Sequence, residues 1–328
     1  MAFPSSTARD GRLLTVLIPM LSQAHREAIR SAAERAGFRC VFCQSQAEAM
    51  ALLPDTEICF GPALPLDSAR SLRWLALPSA GVEPFVRPGL LPEGVVLTNS
   101  SGAYGVTIAE HIVMVTLEMM RRRADYLEIA ARRAWTRDLT VRSIHSSRVL
   151  ILGTGDIGRE TARRLRAFRP ASITGVNRSG ANPDGLFDRV AEVGRIDETL
   201  PGQELVILCL PGTPETRDLL DDRRLALLPE GAFLVNVGRG SCVDETALVN
   251  SLRSGRLGGA ALDVFRQEPL PQDSPLWDVP NLLITPHISG NMTLAWTMDR
   301  VVEIFVDNLA LYAAGEPLTH RVFPERGY

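Results

Sequence analysis

Four short segments carry residue types that could do chemistry. The hexapeptide GTGDIG sets Gly153, Gly155 and Gly158 at G-x-G-x-x-G spacing, with Thr154, Asp156 and Ile157 between them. It follows an apolar run, 148–152, and precedes a helical pattern, 159–166, the strand–turn–helix setting in which this spacing signifies a dinucleotide site. Gly153 permits the tight turn, Gly155 lets main chain approach a pyrophosphate, and Gly158 allows close helix–strand packing. The pyrophosphate would lie at the helix N-terminus, where free N–H groups and the helix dipole favour an anion. The other segments are NVGRG with Arg239, ALDVFRQEPLP with Glu268 and TPHISG with His287. Each sets its charged or ionisable side chain just beyond a strand-like run. Ligands of open α/β sheets bind outside the carboxyl ends of the strands, so these three side chains can converge on one cleft.

The residues after the next apolar run bear on which dinucleotide is held. An NAD enzyme places Asp or Glu near position 177, where the carboxylate binds the ribose hydroxyls and repels a 2′-phosphate. Here the position is Asn177, followed by Arg178 and Ser179. A guanidinium forms charge-assisted bonds to phosphate. The expected cofactor is therefore NADP(H), with NAD(H) as the alternative if Arg178 is only a solvated surface cation.

The elements that must position these residues alternate along the chain, short β-rich runs with helical patterns, which predicts parallel sheets covered on both faces. Five strands are expected at 13–19, 39–43, 57–61, 73–78 and 95–99, with an Ala-rich helix over 22–36. Six more are expected at 148–152, 172–177, 205–210, 232–237, 259–264 and 282–285, the requirement of a doubly wound dinucleotide-binding sheet. The predicted fold is α/β, with two doubly wound, Rossmann-like domains and a cleft between them. Residues 1–100, completed by 292–328, form the substrate domain; residues 101–291 form the dinucleotide domain. A helix over 105–123, closed by three arginines and apolar on most sides, is expected to be buried between domains or against a second subunit. A second helix over 294–314, stopped by Gly315, returns the chain to the first domain.

The same segments, read in order, resemble the D-isomer-specific 2-hydroxyacid dehydrogenases over essentially the whole chain. The resemblance runs through LPSAGVE at 77–83, TNSSGAYG at 98–105, IAEHIV at 108–113, GTGDIG at 153–158, LCLPGTPETRDLL at 208–220, NVGRGSCVDE at 236–245, ALDVFRQEPLP at 261–271 and PHISG at 286–290. The loop at 177–179 and the RGY terminus at 326–328 are most similar to the glyoxylate/hydroxypyruvate reductase branch.

The resemblance implies a hydride transfer between the nicotinamide and a small 2-keto or 2-hydroxy acid. It gives His287 the role of acid toward the carbonyl oxygen. It makes Glu268 the carboxylate that orients the imidazole and favours its charged form. It makes Arg239 the clamp on the substrate carboxylate and carbonyl. By the same motif match, main-chain amides of Ala80, Gly81 and Val82 would hold the substrate carboxylate. Asn99 would lie close by, unless it only forms a turn. Asp263 would lie near the nicotinamide carboxamide, unless it only closes a strand. Leu210, Pro211, Thr216, Val237, Gly238, Ser289 and Gly290 would line the cofactor. Ser289-Gly290-Asn291 departs from the Gly-Gly pair frequent in the family after the His. Other readings stay open: a nucleotide-sensing or corepressor-like binding protein, or a dehydrogenase for phosphite, formate or a phosphorylated hydroxy acid.

Composition narrows the partners. A net charge of −3 favours neither nucleic acid nor an anionic membrane. The longest apolar stretch, 106–120, contains Glu110, His111 and Glu118, too charged to span a bilayer. No charged start followed by an apolar run opens the chain, so no signal peptide is read over 1–12. Five scattered cysteines read as thiols of a reducing, cytoplasmic compartment. Cys40 and Cys43 form a C-x-x-C with no second Cys or His pair to complete a metal site, so no metal is expected. A homodimer is expected from the resemblance and from the apolar helix.

Overall fold

The computed structural model describes residues 11–63, 65–87 and 89–324. The RGY terminus and most of the stretch read for a signal peptide lie outside the described residues. The chain divides into two compact units, one running to Tyr104 and completed from Met292 onward, the other spanning Gly105–Asn291.

The first unit is built from β1 (Arg12–Val16), α1 (Gln23–Arg35), β2 (Phe38–Phe42), α2 (Gln46–Leu52), β3 (Thr56–Phe60), β4 (Trp74–Ala76) and β5 (Val96–Thr98). Its strands pair in parallel in the order β2-β1-β3-β4-β5. That is one of the two common doubly wound orders. Leu14, Ile58 and Leu75 are fully buried, as strands covered on both faces require. Burial pushes the Cys40 thiol up to about 11 and raises Cys43 as well, so neither C-x-x-C thiol is poised to react.

The second unit contains α3 (Gly105–Met120), α4 (Arg123–Ala131), β6 (Arg148–Leu152), α5 (Asp156–Arg166), β7 (Ser172–Asn177), β8 (Arg189–Glu192), α6 (Ile196–Thr199), β9 (Leu205–Leu208), α7 (Asp222–Leu225), β10 (Ala232–Asn236), α8 (Glu245–Arg253), β11 (Leu257–Leu262) and β12 (Leu282–Ile284). Its parallel strands take the order β12-β11-β10-β9-β6-β7-β8. The winding reverses between β6 and β9, the switch point at which open α/β sheets bind ligands.

Two sequence expectations need correction. The sheet has seven strands, not six. The missed strand, β8, is a four-residue edge with sequence RVAE and only Ala191 buried, so it lacks the apolar run of a covered strand. The helix expected over 105–123 ends at Met120. Arg122 adopts φ +54°, and the main-chain N–H of Arg142 donates to the Met120 carbonyl, so the arginines make the turn into α4 instead of closing one long helix.

The helix α9 (Ala295–Ala314) belongs to the first unit and ends on Gly315 in the left-handed conformation. Phe305 stacks on Phe60 at 3.9 Å, and both it and Tyr312 stack on Trp74. Tyr312 Oη donates to Glu57 at 2.9 Å, and the Arg12 guanidinium donates to the same carboxylate at 2.7 Å. Burial alone would raise the Glu57 pKa, but the bonds from Arg12 and Tyr312 hold it below its usual 4.5. A depressed carboxylate stabilises the fold above its unfolded pKa, and that contribution disappears as pH falls through the folded value. Glu57→Gln is therefore expected to lower stability by about 1–2 kcal/mol at pH 7 and by progressively less below pH 4.5. Urea midpoints of both forms at pH 7 and pH 3.5 measure this; an equal gap at both would contradict it.

Candidate active site

The glycine turn joins β6 to α5. Gly153 sits at φ +99°, where a Cβ would come 2.6 Å from the Cys209 carbonyl oxygen. A Cβ on Gly158 would collide with the Gly153 carbonyl, so only glycine lets the helix pack this close to the turn. Gly155 differs: a Cβ there would meet nothing within 4 Å, leaving open space over the first N–H groups of α5. A pyrophosphate fits such an opening. Ile157 lies in the first turn of α5, half-buried. The Asp156 carboxylate instead packs on Gly105, where burial raises its pKa and the Gly105 N–H holds it back. It thereby caps the start of α3.

At the end of β7, Asn177 ties the following loop to the turn. Its Nδ2 donates to Thr154 Oγ1 at 2.8 Å and to the Ala181 carbonyl at 2.9 Å. Its Oδ1 accepts from the main-chain N–H of Ser179 and of Gly180. Arg178 and Ser179 are exposed at the tip. After β9, Leu210 and Pro211 begin a loop that folds back on itself, with Thr216 Oγ1 donating to the Pro211 carbonyl at 2.7 Å.

The three ionisable residues follow adjacent strands. Arg239 follows β10, where Asn236 Nδ2 donates to the Arg239 carbonyl and Asn236 Oδ1 accepts from the Gly238 N–H. Val237 and Gly238 are buried beneath it. Glu268 lies beyond β11. Its Oε1 accepts from the Phe265 N–H at 2.9 Å, and its Oε2 bonds His287 Nδ1 at 2.7 Å. His287 lies beyond β12 at φ +54°, an uncommon conformation for a non-glycine residue.

Asp263 fixes that conformation. It is 1% exposed. Its main-chain carbonyl accepts from the His287 N–H. Its Oδ1 accepts from the Ile288 N–H and from Thr285 Oγ1, and its Oδ2 from the N–H of the buried Ser289. Gly290 follows, half-buried. Because the carboxylate only accepts, Thr285 donates to it and must accept from His111 Nε2, 3.4 Å away on α3. Burial holds His111 below the usual histidine range, so its ring is neutral at pH 7. Sequence reasoning gives Thr285 and His111 no role of their own; the signals are the segments in which they lie, TPHISG and IAEHIV.

In the first unit, the loop after β4 carries Ala80, Gly81 and Val82. Asn99 Nδ2 donates to the Ala80 carbonyl at 2.8 Å, and Asn99 Oδ1 accepts from the Ser101 N–H. Ser79 Oγ donates to the Gly81 carbonyl. Asn99 thus pins the loop with one end of its carboxamide and closes its own turn with the other. Val82 is buried, and Ala80 and Gly81 are half-buried.

Among the described residues, no group of three or more His, Cys, Asp and Glu side chains could hold a metal ion, and no helix is long and apolar enough to cross a membrane. Residues 113–289 match the model of the D-isomer specific 2-hydroxyacid dehydrogenase NAD binding domain. A glyoxylate/hydroxypyruvate reductase B of Pectobacterium carotovorum is 33% identical over 265 residues, covering 79% of this chain and 82% of that relative. The crystal structure of a D-isomer specific 2-hydroxyacid dehydrogenase family protein from Aeromonas salmonicida superposes with a TM-score of 0.85 at 34% identity, over 96% of this chain and all of that one. A second, from Xanthobacter autotrophicus in complex with NADPH and MES, gives 0.81 at 30% identity, over 97% and 99% of the two chains.

Proposed function

The chain belongs to the D-isomer specific 2-hydroxyacid dehydrogenase family, a family of nicotinamide-dependent oxidoreductases, and on that premise we propose that it reduces a small 2-keto acid of the glyoxylate or hydroxypyruvate kind with NADPH. The observation that carries this reading is the 2.7 Å bond between His287 Nδ1 and Glu268 Oε2 at the carboxyl edge of a dinucleotide-binding sheet, two strands from Arg239. NADPH, when bound, would supply the hydride. His287, with Nδ1 held by Glu268, presents Nε2 and gives its proton to the carbonyl oxygen as negative charge builds there. Arg239 binds the substrate carboxylate and carbonyl through its planar fork, fixing orientation and stabilising the developing oxyanion. Asp263 acts through the His287 loop, which it anchors at three amides.

Support for NADPH comes from Asn177, Arg178 and Ser179, and from the Xanthobacter relative crystallised with it. The test is a panel of 2-keto acids with NADPH and with NADH, followed by absorbance, with phosphite, formate and phosphorylated hydroxy acids run in the oxidative direction. The expected result is reduction of glyoxylate or hydroxypyruvate, with kcat/KM at least tenfold higher for NADPH. No turnover with any keto acid would overturn the reading in favour of a nucleotide sensor or another small acid. We also propose a cytoplasmic homodimer. Met114, Leu127 and Trp135 leave 46%, 51% and 91% of their surface exposed along one stretch of the second unit, and burial against a second copy would cover them. Light scattering giving a monomer mass at micromolar concentration would refute the dimer.

A further inference from the structure

The adenosine end of the glycine turn contains charge that the reading above does not use. A cavity of about 220 Å³ opens there, lined by Thr154, Arg159, Asn177, Ser179, Asn182 and Asp184 among others. Asn177 serves the wall more than a ligand: both its Nδ2 bonds and its Oδ1 bonds go to the loop and to Thr154. Arg159, in the first turn of α5, forms an ion pair with Asp184 in the loop between β7 and β8. The side chains of this pair are 37% and 33% exposed, so the cavity and solvent both reach them.

We propose that Arg159 is a specificity-determining residue, binding the 2′-phosphate of NADP(H) from the helix side of the cavity, with Asp184 as the counter-ion that the phosphate displaces. The inference rests on the NADP(H) reading and adds a second cation to the one the sequence offered. A half-exposed ion pair is held weakly, because solvent screens it. A phosphate monoester carries about −1.5 to −2 charges at pH 7 and three acceptor oxygens, so it outcompetes a single carboxylate for a guanidinium. Asp184 then works against the phosphate twice, by occupying Arg159 and by adding like charge to the cavity. The arrangement selects for a dianion strong enough to break the pair, and a plain ribose hydroxyl leaves the pair intact.

The test is calorimetric titration of the whole protein with 2′,5′-ADP and with 5′-AMP, which differ only in the 2′-phosphate. Wild type is expected to bind 2′,5′-ADP at least tenfold more tightly. Arg159→Gln should weaken 2′,5′-ADP about tenfold or more and leave 5′-AMP within twofold. Asp184→Asn should tighten 2′,5′-ADP about three- to tenfold, again sparing 5′-AMP, and still reports if the Arg159 variant fails to fold. Unchanged 2′,5′-ADP affinity in either soluble variant, with the wild-type preference intact, overturns the role of Arg159 but not the NADP(H) reading. A wild type that binds both nucleotides equally overturns both.

Discussion

Replacing His287 with alanine is expected to lower kcat about 10³-fold and to leave the affinity for NADPH within about twofold. The separation follows from how the residue is built in. The His287 main chain is fixed by the Asp263 carbonyl, and the next two amides by the Asp263 carboxylate, so removing the ring leaves the loop's hydrogen bonds in place. The ring itself is exposed and, among the described residues, is bonded through Nδ1 to Glu268 alone. One complication is conformational. The residue sits at φ +54°, and alanine tolerates the left-handed region poorly. His287→Asn avoids it, because asparagine adopts that region readily and supplies no acid of comparable strength. Both variants should lose turnover alike. A kcat within tenfold of wild type in either, with NADPH binding intact by fluorescence titration, would remove His287 from the mechanism. Glu268→Gln should fall between, since its Oε1 can still accept from the Phe265 N–H while the pairing with Nδ1 changes character.

The sequence made the glycine turn legible because two of its three glycines answer to a local requirement. Gly153 is forced by its φ, and Gly158 by the carbonyl against which it lies. The alternation of apolar runs with helical patterns likewise gave the parallel architecture of both sheets. What stayed hidden depends on contacts between segments far apart. The resemblance places Asp263 near the nicotinamide carboxamide, with strand closure as the alternative, and only the parallel pairing of β11 with β12 brings its carboxylate under the amides of Ile288 and Ser289. Asp156 sits inside the cofactor motif, yet the packing of α5 on α3 turns it toward Gly105. Asn99 is expected near a substrate or in a turn, and its carboxamide bonds the Ala80 carbonyl at one end and the Ser101 N–H at the other. The edge strand β8 escaped for a simpler reason: an edge need not be apolar. In each case residue type was readable and the direction of the side chain was not.

Arg239→Ala should raise the keto acid KM about 10²-fold and lower kcat about tenfold, a split that distinguishes a clamp from a general acid. Lost binding of the carboxylate is felt in ground state and transition state alike, which raises KM. Lost stabilisation of the oxygen, as charge develops on it, is felt only in the transition state, which lowers kcat. The Arg239 guanidinium donates to the Gly238 carbonyl at 2.6 Å, a bond the variant loses, but Asn236 still holds the Arg239 carbonyl and the Gly238 N–H, and a matching urea midpoint for variant and wild type separates chemistry from folding. Arg239→Lys sharpens the test. Lysine restores the charge but not the planar fork that meets two oxygens at once. It should therefore recover part of the KM and little of the kcat. If lysine restores both, the residue acts as a point charge in the field of the site. If alanine leaves both unchanged, the substrate carboxylate is held by other groups and Arg239 is not its clamp.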